Sequence, residues 1–401
     1  METHAPATAE EAAKLVAWAA AEGQPLEIRG AGSKRGLGRP VQAARTLAVE
    51  RIAGIIDHDP AELVLTARAG TPLAEIETAL DAANQQLAFE PPDWGALLGA
   101  GRGRQTLGGV IACNLSGPRR ISAGAARDHF LGFQAVNGRG EVFKGGGRVV
   151  KNVTGYDLPK LMAGSMGTLA VLTEVTVKVL PRPEKVRTVL LFGLDDARAA
   201  AAMAAGLKSA HEVSAAAHLP AQAASRLAID HLEPGKAVTA IRVEGVGPSV
   251  EARCAALRTE LASFGTVEEL HSLNSRAFWQ AVRDASPLVG SPVVWRLSVP
   301  PMDGPKVAAH LPTALRLYDW GGGLLWLGLP DASDAHAPLV RRALATAASG
   351  HATLLRAPDS ARLAAAPFEP MAGAAASLAK RVKDSFDPAG VLNPGRMAAG
   401  V

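Results

Sequence analysis

The sequence predicts an α+β protein built from two domains, and three observations lead there. Its 401 residues exceed the usual span of one domain. Glycine punctuates nearly every turn between Gly99 and Pro183, with short apolar and β-branched runs between. From Glu184 the texture changes to alternating strand and alanine-rich helix patterns, the mark of a separate α+β layer. The expected division is therefore 1–183, 184–375 and a C-terminal segment 376–401.

Taken in order, Glu10–Glu22 carries Ala13, Val16, Ala17 and Ala20 at helical spacing and stops at Gly23. Leu26–Ile28 alternates as a short strand and breaks into Gly30, Gly32, Gly36 and Gly38 around Ser33, Lys34 and Arg35. A strand running into a glycine loop with basic and hydroxyl residues has phosphate-binding chemistry: backbone N–H groups converge on an anion and cations neutralise it. The spacing is neither GxGxxG opening a helix nor GxxxxGK[ST], so a Rossmann site and a P-loop are disfavoured. The alternative is a plain surface loop.

Arg45–Glu50 reads as a strand, Arg51–Asp57 as a short helix or turn, and Glu62–Ala69 as a strand. Thr71 is placed to cap a helix Leu73–Asn84, with Pro72 at its first position. Prolines stiffen Phe89–Trp94 into a connector. Strands follow at Phe133–Asn137, Glu141–Lys144 and Thr168–Leu180; Asn137–Gly140 is a hairpin signal, and Pro181–Pro183 ends the sheet. The dense glycines here suit tight sheet connections or a backbone laid against a flat ligand.

Beyond Glu184 the expected elements are strands at Thr188–Leu194, Ala237–Gly245, Val293–Val299 and Gly323–Leu329. Helices are expected at Asp195–Ala210, Ser249–Phe264 and Asp334–Ser349, gathered on one face of the sheet. Phe386–Met397 (FDPAGVLNPGRM) is irregular yet too apolar for a loose tail, and docking is expected.

The bulk numbers narrow the function classes. An apolar share of 48% supplies real cores, and a net charge of +4 without a basic block offers no nucleic-acid footprint. Arg119–Arg120 and Arg341–Arg342 read as solvated faces. Cys113 and Cys254 are far apart and make no metal or disulfide spacing, which fits a reducing compartment. The N-terminus lacks a secretory pattern, and no apolar run reaches the roughly 18 residues of a membrane span. The reading is cytoplasmic, with peripheral membrane attachment left open.

Ile28–Gly36 (IRGAGSKRG), Thr106–Gly117 (TLGGVIACNLSG), Gly147–Pro181 and the terminal FDPAGVLNPGRM together resemble the vanillyl-alcohol oxidase superfamily, whose FAD domain is called PCMH-type. The resemblance covers the whole chain: an FAD-binding domain, a central cap domain and a tail returning to the flavin domain. Within it, Asn114–Arg120, Gly124–Gly132 and Gly147–Leu158 look most like the FAD-binding subunit of bacterial glycolate oxidase. That resemblance implies oxidation of a small 2-hydroxy acid, glycolate, to glyoxylate by a complex with a second flavin subunit and an iron–sulfur subunit.

The resemblance implies a pyrophosphate cradle at Arg29, Gly30, Ala31, Gly32, Ser33 and Lys34. It places Thr106, Gly108, Gly109, Cys113, Asn114 and Gly117 beside the ribityl chain and flavin ring, and Gly164, Gly167, Ala170 and Val171 at the adenosine end. Ser33 and Lys34 stand where relatives with covalent flavin carry histidine, so non-covalent FAD is implied. The histidine cluster of related 2-hydroxy-acid dehydrogenases has no counterpart: His211, His218, His231, His271, His310, His336 and His351 are scattered singly, and no metal is expected. A base and a carboxylate-binding cation are sought among Arg127, Lys151, Tyr156, Asn393 and Arg396. The competing readings are an autonomous 2-hydroxy-acid dehydrogenase and a flavin-fold assembly scaffold without redox work.

Overall fold

A computed structural model describes residues 2–148 and 155–399, and these divide into two compact units. The first comprises Met1–Ser116, Ala125–Arg182 and Pro370–Val401; the second comprises Gly117–Gly124 and Pro183–Glu369. Residues 117–124 thus pack with the second unit, although they lie in sequence inside the first.

In the first unit, β1 (Glu2–His4) leads to α1 (Ala9–Ala21). Thr8 caps that helix by accepting a hydrogen bond from the Glu11 amide at 3.2 Å, and Ala12, Val16 and Ala19 form its buried stripe. β2 (Leu26–Arg29) and β3 (Arg45–Ala48) follow, and β1 and β2 each pair parallel with β3. Leu26, Leu47 and Val16 meet Val136, Val391 and Leu392 in one core cluster.

β4 (Ile55–Asp59) corrects the helix or turn expected at Arg51–Asp57: it pairs antiparallel with β5 (Val64–Arg68), and only Val49–Arg51 coils, as a 3-10 turn. α2 (Leu73–Ala82) forms, but Thr71 does not cap it. The Thr71 hydroxyl instead donates to the Arg68 carbonyl at 2.6 Å and accepts from the Gly54 amide at 2.9 Å, which ties the preceding turn. Gly108–Gly109, read as a turn, lies inside the short helix α3 (Leu107–Ala112). β6 (Phe130–Asn137), β7 (Val142–Gly146) and β8 (Ala170–Lys178) complete an antiparallel five-stranded sheet, in the order β4-β5-β8-β6-β7.

The C-terminal part of this unit closes it. A helix over Gly373–Phe386, for which no helical signal was read, leads to a segment that bridges β2: Leu26 pairs parallel with Leu392. The Leu26 amide donates to the Val391 carbonyl at 2.8 Å, and the Asn393 amide donates to the Leu26 carbonyl at 3.0 Å.

The second unit is an eight-stranded sheet. Its elements run β9 (Lys185–Phe192), α4 (Asp196–Lys208), β10 (Val213–Leu219), β11 (Val238–Gly245), α5 (Gly247–Leu261), β12 (Val267–Leu270) and α6 (Ser272–Arg283). They continue with β13 (Val293–Ser298), β14 (Leu315–Asp319), β15 (Leu324–Leu329), α7 (Ala337–Leu344) and β16 (His351–Arg356). The strand order is β12-β9-β11-β10-β14-β15-β13-β16. Val189 and Leu191 of β9, Trp295 and Leu297 of β13, and Leu325 and Leu327 of β15 alternate onto one face, against Met203, Leu257 and Val340 of the helices.

Not all helices share that face, contrary to the expectation. Thr188, of opposite parity to Val189, bonds Ser275 of α6 at 2.7 Å and accepts from the Trp279 indole at 2.8 Å, so α6 covers the reverse side.

Residues 117–124 are fastened to this unit by charge. Arg119 donates from Nη2 and Nε to the Glu244 carboxylate at 2.6 and 2.9 Å, and Arg242 Nε stands 3.3 Å away. Burial opposes ionisation of Glu244, yet Arg242 and Arg119 overcome it and hold its pKa down to about 2. A carboxylate depressed from 4.5 stabilises the fold above pH 4.5, and that contribution drains away as pH falls towards 2. The span is worth about 3 kcal/mol at 1.36 kcal/mol per unit. Urea unfolding followed from pH 6 to pH 2 should show that loss for the parent chain, and Glu244→Gln should flatten it; an unaltered profile would refute the pairing.

Candidate functional site

The cleft of interest lies wholly within the first unit. It is lined by the loop after β2 (residues 29–35), by Thr106, α3 and Cys113, by Ser165–Gly167 and Ala170–Leu172, and by Arg396.

The loop is built to receive an anion. Gly32, at a φ of +79°, turns the chain so that four successive backbone N–H groups, those of Ala31, Gly32, Ser33 and Lys34, make no hydrogen bond to any described residue. Buried amides seldom go unpaired, and a run of them forms a concave donor nest. Cations surround it. Arg29 Nε is buried with no hydrogen-bond partner, and the Lys34 ammonium stands 3.2 Å from the Ser33 hydroxyl. Burial holds the Lys34 pKa below its ordinary value, against the opposing influence of Cys113 and Asp93. Arg35 is already spoken for, because its Nε donates to Glu27 at 2.8 Å.

Across from the loop, absent side chains set the clearances. A Cβ on Gly30 would stand 2.4 Å from Thr106 Oγ1, and one on Gly108 would stand 2.8 Å from the Ala69 carbonyl oxygen, so loop, helix and β5 close up only with glycine at both. Gly109 differs: its Cβ would meet only Thr106 Oγ1 at 3.2 Å and Lys34 Nζ at 3.7 Å, on the open side. Burial pushes the Cys113 thiol above its ordinary pKa, with Lys34 and Arg396 pulling the other way.

The far wall hangs on α3 and on the C-terminal segment. The amides of Gly164 and Met166 donate to the carbonyls of Ile111 (3.1 Å) and Ala112 (2.8 Å). Asn393 Oδ1 accepts from the Ile28 amide at 2.8 Å, and its Nδ2 donates to the carbonyls of Ile28 (3.2 Å) and Met166 (2.8 Å). Arg396 Nη2 donates to the Lys34 carbonyl at 2.9 Å and so fixes the end of the loop.

Of the residues singled out in the sequence, the structure brings Arg29, Gly30, Ala31, Gly32, Ser33, Lys34, Thr106, Gly108, Gly109, Cys113, Gly167, Ala170, Val171 and Arg396 to this cleft. Three expected lining residues do not line it. Asn114 turns its Oδ1 to the Arg127 amide at 3.0 Å, Gly164 backs onto Asn114, and Gly117 packs in the second unit, where its carbonyl accepts from the Trp320 indole at 3.0 Å.

Among the residues sought as base or cation, Asn393 spends its whole amide on the backbone and is 1% exposed, so it is a clip rather than a catalytic group. Tyr156 is 92% exposed and does not line the cleft, and Arg127 is exposed beside Asp128. Lys151 lies outside the described residues. Sequence reasoning missed Glu27, Ile28, Val49, Ala69, Ala112 and Leu172 in the lining. They hold the cleft mostly by shape, and only Glu27, an acid in an apolar strand, carried a chemical signal.

The donor set, its cations and the close-approach glycines suit a phosphate-bearing ligand with a flat extension. Comparisons with known proteins agree. Residues 3–146 match the FAD binding domain, and residues 369–397 match the C-terminal domain of FAD linked oxidases. The chain is 38% identical over 379 residues to the glycolate oxidase subunit GlcE of Escherichia coli (strain K12), covering 94% of the chain and 93% of that relative. It is 30% identical over 187 residues to the glycolate oxidase subunit GlcD of Bacillus subtilis (strain 168), covering 46% of the chain and 38% of that relative. The fold is that of p-cresol methylhydroxylase, at a TM-score of 0.73 and 12% identity, over 98% of the chain and 88% of that structure.

Proposed function

The chain belongs to the GlcE family of FAD-linked oxidoreductases, with FAD as its cofactor, and from that premise we propose that it is the FAD-binding subunit of a glycolate oxidase complex. The complex oxidises glycolate to glyoxylate, with a second flavin subunit and an iron–sulfur subunit carrying the electrons onward. The observation that carries this is the near full-length identity to a glycolate oxidase subunit, joined to a cleft whose unspent amides match a pyrophosphate.

The amides of Ala31–Lys34 grip the pyrophosphate, and Arg29 and Lys34 offset its charge. Gly109 lets the ring approach the backbone, and Cys113 offers a small neutral thiol beside it. FAD, when bound, takes up a hydride equivalent and gives up electrons singly. Ser33 and Lys34 provide no histidine for a covalent link, which makes the cofactor non-covalent. No described helix is long and apolar enough to cross a membrane; any membrane association would run through the partners.

The chain purified alone should be yellow, and acid precipitation should release the colour into the supernatant. Anaerobic glycolate should bleach it only when the partner subunits are added. Flavin that stays in the pellet overturns the non-covalent cradle, and bleaching of the lone chain by glycolate overturns the subunit reading in favour of an autonomous dehydrogenase.

A further inference from the structure

The second unit holds a buried cation to which no described residue gives an ion pair or a hydrogen bond. Arg296 projects from β13, and its guanidinium lies 4.8 Å from the Trp320 ring centroid and 5.9 Å from that of Trp326. Arg120 places a second guanidinium 4.8 Å from the same Trp320 ring. Arg296 Nε is buried with no hydrogen-bond partner, and no described residue gives Arg296 an ion pair or hydrogen bond. Burial, followed by the like charge of Arg120, lowers its pKa to about 10, with the Asp319 carboxylate pulling the other way. A desolvated guanidinium without an acceptor is strongly disfavoured, and stacking on indoles offsets only part of that cost.

Asp319 is the neighbouring acid, and its Oδ1 already accepts from the Trp320 amide at 2.7 Å. Cross-strand neighbours of Arg296 are Trp326 and Thr353, neither of which brings a negative charge. No described residue supplies the acceptor that its N–H groups lack, which leaves that place open to an anion from outside the chain. A planar guanidinium fork takes a carboxylate or a phosphate through two parallel N–H bonds, and the function proposed above, whose substrate is a small carboxylate, favours the first.

We propose that Arg296, backed by Arg120 and oriented by Trp320 and Trp326, is a carboxylate seat in the second unit for a small 2-hydroxy acid. The choice of acid rests on the function proposed above; the seat itself rests on residues that share no member with the flavin cleft. No chemical step is assigned to it.

The test is equilibrium binding to the full chain with glycolate and, separately, inorganic phosphate, read by calorimetry and by tryptophan fluorescence, with flavin content measured on every sample. The parent should bind glycolate saturably with a fluorescence change. Arg296→Gln should weaken binding about tenfold or more, as expected for losing a charge-assisted pair, and keep its flavin. Because that variant removes an unpaired charge, it should melt no lower than the parent. Arg296→Lys, with charge but no fork, should fall between the two.

Parent-like binding by Arg296→Gln, or no saturable glycolate binding by the parent, overturns the seat. Phosphate binding that needs Arg296 while glycolate fails overturns the carboxylate assignment. A parent without flavin sinks the function proposed above and leaves the anion measurement standing on its own.

Discussion

Gly109→Leu is expected to yield a folded protein without colour. The Cβ at this position meets only Thr106 Oγ1 at 3.2 Å and Lys34 Nζ at 3.7 Å, both side-chain atoms, and Gly109 lines the open side of the cleft. The remaining leucine carbons must then enter the space between the cradle loop and α3. Leucine also favours the helix over glycine by roughly 0.5–1 kcal/mol, so the fold has no reason to suffer. Flavin per chain should fall at least tenfold, each factor of ten being about 1.4 kcal/mol of affinity. The check is the visible spectrum of the purified protein beside its far-ultraviolet dichroism and melting curve. A variant as yellow as the parent removes Gly109 from the binding surface.

The second large effect lies at Lys383, on the C-terminal helix. Its ammonium is buried against Asp387 at 2.6 Å and also donates to the carbonyls of Thr168 (2.7 Å) and Leu392 (2.9 Å). Asp387 in turn accepts from the amides of Val391 (3.1 Å) and Leu392 (2.8 Å). The pair therefore joins the helix, the approach to β8 and the segment that bridges β2. Lys383→Ala strands a carboxylate that is 0% exposed, a change that costs about 3–5 kcal/mol in comparable buried pairs. For a unit of this size that lowers the melting temperature by about 6–20 °C. Adding Asp387→Asn should recover part of the loss, because the stranded charge goes. A fall of less than about 2 °C in the single variant contradicts the account.

The parts of the site that were legible in the sequence are those where local conformation and function coincide. Arg29–Lys34 needs glycine for its turn and cations for its ligand, and both needs show in the letters. Gly117 shows the opposite case: it follows Asn114 by three residues, yet the chain crosses into the other unit at that point, and adjacency along the chain no longer means adjacency in space. Asn393 carried a polar signal, but its φ of 43° turns the amide onto backbone groups 365 residues away, which no local pattern reveals. The sheet of the second unit was half visible. Its apolar runs at β13 and β15 stand out, whereas β10 and β16 are alanine-rich or mixed and gain strand character only from their neighbours. The seat at Arg296 was invisible because Arg120 and the Trp320–Trp326 stretch meet there from parts of the chain far from Arg296 in sequence.

The clip at Asn393 also sets a timetable for biogenesis. Ile28 emerges 365 residues before the side chain that will hold its amide and carbonyl. At about 5–20 residues per second, β2 waits on the order of 20–70 s on the ribosome for that partner. During the interval the cradle's free amides and its cations are already made, but the wall opposite them is not. The expectation is that FAD is acquired after translation has passed Asn393, and that a ribosome stalled before that point carries a chain without flavin.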